Sequence, residues 1–132
     1  MRTQFVSPLF AASLLLAACT SNPLKDPVAV QVPPGLSDEE VSNAIKDAPV
    51  GRGWAIVDEQ PGVIDSTLYI REHTATIQAL YDQDQVQFKY VDSSNLDYGE
   101  TNGERQIHRN YNSWVDNVAN DLRARLSRRA FR

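Results

Sequence analysis

Three kinds of side chain in this sequence could carry covalent or acid–base chemistry. They are one thiol, Cys19, two imidazoles, His73 and His108, and hydroxyls such as Ser93, Ser94 and Ser113. A zinc site needs three or four convergent ligands. Neither histidine has a cysteine or carboxylate at ligand spacing, so no metal is expected. Phosphate-cradling glycine loops, a Gly-x-Ser-x-Gly elbow and a His-Glu-x-x-His helix are all missing from the sequence, so no cofactor is expected either. A hydrolase would have to be assembled by folding, with Asp92, Ser93 and His108 as the set to bring together. The reading preferred on these grounds is a non-enzymatic chain.

One cluster suits recognition better than catalysis. The segment 92–98, Asp-Ser-Ser-Asn-Leu-Asp-Tyr, leaves one predicted strand, and the segment 107–114, Ile-His-Arg-Asn-Tyr-Asn-Ser-Trp, opens the last predicted helix. If that helix packs back on the sheet, Tyr98, His108, Arg109, Asn112 and Trp114 meet at one end of it. They would offer donors and acceptors around aromatic surface. The competing reading is structural: Tyr111 and Trp114 fill the core, while Ser93, Asn95 and Asn112 satisfy loop backbone and helix N-terminal amides.

The elements that must position this cluster follow from periodicity. Ser37 with Glu40 three residues on forms a capping box, Leu36 can staple to Val41, and Asp38, Glu39 and Glu40 suit the positive end of a helix. Val41, Ala44, Ile45 and Ala48 give that helix one apolar face, and Pro49 ends it. Strands are predicted over 54–59, 63–71, 73–81 and 85–92. Within them His73, Ala75, Ile77, Ala79 and Tyr81 alternate with Thr74, Thr76 and Gln78, and Val86, Phe88 and Tyr90 with Gln85, Gln87 and Lys89. A polar loop is expected over 93–104. Beyond it Ile107, Tyr111, Trp114, Val115, Val118, Leu122 and Leu126 fall at helical spacing. The expected fold is α+β in two layers: an N-terminal helix, a four-stranded antiparallel meander, and a long C-terminal helix packed on one sheet face.

The N-terminal residues are of another kind. A cationic start at Arg2 precedes an apolar run from Phe5 to Ala18, too short to span a bilayer but suited to a secretion signal. Leu16-Ala17-Ala18-Cys19 resembles the lipobox of bacterial lipoproteins. The resemblance implies cleavage before Cys19, a diacylglyceryl thioether on its sulfur and acylation of its new amine, with several chains making a stable anchor. In such lipoproteins of diderm bacteria an aspartate after the cysteine favours inner-membrane retention. Thr20 stands there, which implies the inner leaflet of the outer membrane, facing the periplasm. The expected organisation is a signal peptide over 1–18, a Pro-containing tether over 19–35, an α+β domain over 36–126 and a basic tail over 127–132; within the tether the alternation of Val28, Val30 and Val32 leaves a short edge strand as the alternative.

Charge narrows the partners. The chain of 132 residues carries a net charge of −4, with 42% hydrophobic and 23% charged residues, ordinary values for one folded domain. Arg123, Arg125, Arg128, Arg129 and Arg132 crowd the C-terminus, so the rest is strongly acidic and nucleic acid is not an expected partner. These arginines complement the negative end of a final helix; the alternative is contact with anionic lipid, lipopolysaccharide or an acidic partner. With a single cysteine no internal disulfide can form.

Gly51-Arg52-Gly53-Trp54, the 93–96 loop and the 107–114 segment are similar to a group of small proteobacterial lipoproteins without assigned biochemistry. That resemblance implies an envelope address and supplies no catalytic residues. The expected function is a membrane-anchored binding or scaffolding module with an envelope protein partner. The alternatives are a binder of small ligands or cell-wall fragments and, behind it, a hydrolase. The exposed sheet face with Thr67, Tyr69, Arg71, Thr74, Thr76, Gln78, Gln85, Gln87 and Lys89 is a candidate contact surface.

Overall fold

Helix α1 (Asp38–Val50) starts at the capping box: Glu40 N donates to Ser37 Oγ at 3.1 Å, and Ser37 N to Glu40 Oε1 at 3.2 Å. Its buried residues are Val41, Ala44, Ile45, Ala48 and Pro49. Pro49 lies in the last turn, one residue short of the end, because a proline that late in the helix displaces few hydrogen bonds. Gly53, at φ +89°, then turns the chain, and the Trp54 amide returns to Pro49 O at 3.0 Å. The computed structural model describes residues 20–132; Cys19 and the expected signal peptide lie outside the described residues.

Four consecutive strands follow: β3 (Ala55–Gln60), β4 (Val63–Ile70), β5 (His73–Tyr81) and β6 (Gln85–Ser94). All pair antiparallel with their sequence neighbours. The β3–β4 turn holds Pro61 and Gly62, the latter at φ +82°, a conformation open mainly to glycine. Ile64, Leu68, Ala75, Ile77, Ala79, Val86 and Phe88 point into one core with both helices. The long helix α2 (Asn110–Ala130) contributes Tyr111, Val115, Val118, Ala119, Leu122 and Leu126 to it.

The α+β class, the antiparallel pairing and the two helices agree with expectation; the four-stranded meander does not. Two sheets are present among the described residues. The segment expected as a tether over 19–35 contributes β1 (Ser21–Pro23) and β2 (Val30–Gln31). Strand β2 adds to the outer edge of β6, making a five-stranded sheet of order β2-β6-β5-β4-β3. The segment expected as a polar loop holds β7 (Gly99–Thr101), and β8 (Glu104–His108) follows. They form a hairpin whose two turn residues, Asn102 and Gly103, both have positive φ, as a tight primed turn requires. Strand β1 pairs with β8, giving a second sheet of order β1-β8-β7.

This second sheet corrects the start of the last helix. Ile107 is a fully buried strand residue opposite Asn22, and the helix begins three residues later. Apolar spacing alone could not separate the two, since a buried strand residue just ahead of a helix also falls on the helical stripe. The tether reading fails for a related reason. Leu24 and Val30 are buried and Gln87 donates to Pro27 O at 3.0 Å, so the prolines sit in a chain held flat against the domain.

The C-terminal arginines are largely engaged. Helices α1 and α2 are joined by Arg129–Asp47 at 3.2 Å and by Arg132–Glu40. Arg52, just past α1, grips Asp121 through Nε at 2.7 Å and Nη2 at 3.2 Å. Helix α2 extends to Ala130, so most of the expected tail 127–132 is helix. The Arg52 hydrogen bonds hold the Asp121 carboxyl below the usual carboxylate range. A carboxylate with a lowered folded-state pKa stabilises the fold above its unfolded pKa and loses that contribution as pH falls through the lowered value. Arg52→Gln should therefore lower the melting temperature at neutral pH, and the gap to the native chain should close on acidification below about pH 4. Thermal melts across pH would test this; a gap constant down to strongly acid pH would refute the assignment.

Candidate functional site

The five residues singled out in the sequence separate into two neighbouring places. His108 ends β8, and its backbone N–H donates to Leu96 O at 2.7 Å, which pins the β6–β7 loop to the start of α2. Asn95, at φ +57°, holds the other side of that loop: its side-chain amide donates to Glu72 O at 2.6 Å. His73 Nδ1 lies 2.6 Å from Asn95 O. A carbonyl can only accept, so His73 carries its proton on Nδ1 and leaves Nε2 as an acceptor in the neutral ring. His108 is arranged the opposite way. Its Nδ1 accepts from the Asn110 backbone N–H at 3.1 Å, which puts the proton of the neutral ring on Nε2.

The two imidazoles stand 6.5 Å apart, centroid to centroid, tilted by 37°. They border a cleft of about 290 Å³ with Ile70, Arg71, Leu96, Asn110 and Trp114. Arg71 forms the tip of the β4–β5 turn in the left-handed region, at φ +56°, and is exposed. The cleft thus joins one proton donor, one acceptor, a guanidinium and a half-buried indole. That set can hold a small polar or anionic group.

Tyr98 is not part of this cleft. It stacks on Tyr90 at 4.5 Å and 13°, and Tyr90 in turn meets the edge of Tyr111 at 5.6 Å and 80°. Burial raises the pKa of both Tyr90 and Tyr111. Tyr98, Ser93 and Asp97 border a shallower hollow on the other side of Leu96. Ser93 shares its hydroxyl with Tyr90 Oη at 2.7 Å, and its amide donates to Asp92. The Asp92, Ser93 and His108 set therefore has no hydrogen bond joining the hydroxyl to the imidazole. Arg109 is exposed beside the cleft, and its amide donates to Thr20 O at 2.9 Å.

Asn112 has a structural task. Its Oδ1 accepts from the Lys25 amide at 3.1 Å and its Nδ2 donates to Pro23 O at 2.9 Å. One side-chain amide thus serves two backbone groups of the N-terminal segment just past β1, as a paired strand would. Of the residues singled out in the sequence, His108 and Trp114 border one cleft, together with Arg71 and His73, which sequence reading did not group with them. The signal for these was the strand register: Thr74 faces Ser94, which carries His73 to the loop that β8 also touches.

A hollow of about 700 Å³ lies at the far end of α2 among Arg125, Arg128, Arg129, Phe131 and Arg132. It is an open surface, and two of its arginines, Arg129 and Arg132, are ion-paired. Among the described residues no group of three or more metal-ligating side chains converges, and no helix is long and apolar enough to cross a membrane. No protein-family model, curated protein or solved structure matches the chain.

Asn112→Ala should release the N-terminal segment. Two backbone groups lose their partner, at a cost of about 1–3 kcal/mol, and amide exchange at Lys25 should accelerate more than at residues of β5. A variant with native melting temperature and unchanged exchange at Lys25 would show that Asn112 does not hold this segment.

Proposed function

We propose that this chain is a lipoprotein anchored through Cys19 to the inner leaflet of the outer membrane, and that its domain is a non-enzymatic binding or scaffolding module facing the periplasm. The observation that carries the reading is the Leu16-Ala17-Ala18-Cys19 motif at the end of a short apolar run, directly followed by residues held in the domain. Thr20 is already hydrogen-bonded to Arg109, and Ser21 is already paired with His108.

The surface best suited to a protein partner is the outer face of the five-stranded sheet. Polar side chains there bond one another: Thr67 to Thr76 at 2.7 Å, Thr74 to Ser94 at 2.7 Å, and Gln78 to Asp65 at 3.0 Å. Such pairs rigidify a face without asking water for help, which lowers the ordering cost of a contact. Tyr69 stands out of this face at 66% exposure, the residue type that most often anchors an interface. The cleft, at the lower edge of the volumes small ligands use, narrows the ligand-binding alternative to a small polar group.

Cys19→Ser should abolish metabolic labelling with radioactive fatty acid and leave the precursor unprocessed; labelling that persists would end the lipoprotein reading. In cells, a photocrosslinking side chain at position 69 of the anchored protein should capture an envelope protein that the same group at position 123, on α2, does not. Equal capture at both positions, or recovery of monomer alone, would count against a docking role for the sheet.

A further inference from the structure

A lipoprotein with a long flexible spacer can present any face to the membrane; this chain has no such spacer. One residue spans about 3.8 Å between successive Cα atoms, and Thr20, next to Cys19, is bonded to the β8–α2 junction. If Cys19 carries the acyl chains, that junction is held at the level of the lipid headgroups. The inference rests on the lipoprotein reading and goes further than it, because it fixes which end of the domain meets the bilayer.

That end is composed for the task. His108 pairs with Ser21 across β1 and β8, and His73 lies 6.5 Å from His108. The cleft between them therefore opens beside the anchor. Around it stand Ile70 at 38% exposure, half-buried Trp114 and exposed Arg71 and Arg109. Arginine stems and aromatic rings with one polar end settle in the headgroup layer, where the apolar body is buried and the polar tip stays wet. The rest of the charge pattern agrees. Helix α2 runs away from this end for 21 residues, about 30 Å at helical rise. The acidic side chains of α1 pair with arginines at its far end, so this carboxylate cluster is kept off an anionic surface.

We propose that the end bearing the β4–β5 turn and the β8–α2 junction rests on the bilayer, and that the cleft of Arg71, His73, His108 and Trp114 takes the phosphodiester of an anionic phospholipid from the same leaflet. Arg71 supplies charge. The Nε2–H of His108 and the Trp114 indole N–H are donors for phosphate oxygens, while Nε2 of His73 can accept from a headgroup hydroxyl. Glu72, beside Arg71 in the turn, disfavours a bare anion and suits a headgroup that also carries donors.

The test uses the full lipidated protein, reconstituted into phosphatidylethanolamine vesicles with or without phosphatidylglycerol and carrying a headgroup nitroxide lipid as a shallow quencher. Trp54 is buried at 4% exposure and reports the background. Emission should be quenched in the phosphatidylglycerol vesicles, and Trp114→Phe should remove the quenchable part. Arg71→Glu should lower quenching while the melting temperature holds. Inorganic phosphate added to the detergent-solubilised protein should leave Trp114 emission unchanged. Labelled protein with unquenched Trp114 would overturn the orientation and leave the anchor standing. Failure of fatty-acid labelling in the same preparation would instead remove the anchor, and the orientation with it. A full response to free phosphate combined with no response to vesicles would identify a soluble anion as the occupant and overturn the lipid assignment.

Discussion

The short ladder between Ser21–Pro23 and Gln106–His108 governs much of what is distinctive in this molecule. It makes β8 a central strand, so that Ile107 is buried and α2 cannot start before Asn110. It also places the first described residues beside the cleft. A three-residue strand has little stability of its own, since isolated short strand pairs are marginal in water. Here it is reinforced from outside the ladder. The Leu24 amide reaches Arg105 O at 2.9 Å, the Asn112 side chain brackets residues 23–25, and Asp26 accepts from the Tyr90 amide at 3.1 Å. Each of these bonds satisfies a backbone group that would otherwise need water in a half-buried groove. Together with Val30, which is fully buried at the edge of the larger sheet, they turn a proline-rich sequence into a strap across both sheets.

Much of the fold was legible, and the parts that were share one physical property. The α1 cap, the alternation in β4, β5 and β6 and the apolar stripe of α2 are local patterns repeated over several residues, so each is specified within its own segment. The unreadable parts are specified by partners. Strand β1 is too short to show a period; around β2 the alternation of Val28, Val30 and Val32 allowed a short edge strand, but prolines at 23, 27, 33 and 34 argued for a spacer. Proline is tolerated because these are edge strands. The β7–β8 hairpin did leave a signal in Asn102-Gly103, a turn pair suited to two positive φ values. Its flanks, Gly-Glu-Thr and Glu-Arg-Gln, lack the apolar alternation that would have completed it.

The candidate site divides along the same line. His108 and Trp114 lie six apart, across the strand-to-helix junction, and were found together because their segment is contiguous. Arg71 and His73 joined them only through strand register and the Asn95 bridge to Glu72, which no spacing rule reports. Tyr98 was grouped with them because its loop ends nearby. The buried side chain of Leu96 stands between the two hollows, and the Tyr90 ring claims Tyr98 by stacking. Asn112 had two readings in the sequence, recognition and backbone satisfaction; its amide serves backbone groups of residues 23 and 25, a common role for an asparagine near a helix start.

The arginines show how position within a fold changes what a charge can do. Read as a tail, they invited a membrane or lipopolysaccharide contact. In the folded chain Arg129 and Arg132 face carboxylates of α1, and Arg125 and Arg128 help lower the Asp121 pKa beside Arg52. Exposed ion pairs contribute little stability singly; their larger effect here is to neutralise the acidic first turns of α1 against the C-terminal end of α2. At the other end, near Thr20, Arg71 and Arg109 are exposed. The exposed arginines near Thr20 therefore lie at the opposite pole from the arginines that sequence composition concentrates at the C-terminus. The strap at Thr20 lies at that same pole, where the proposed anchor would also be.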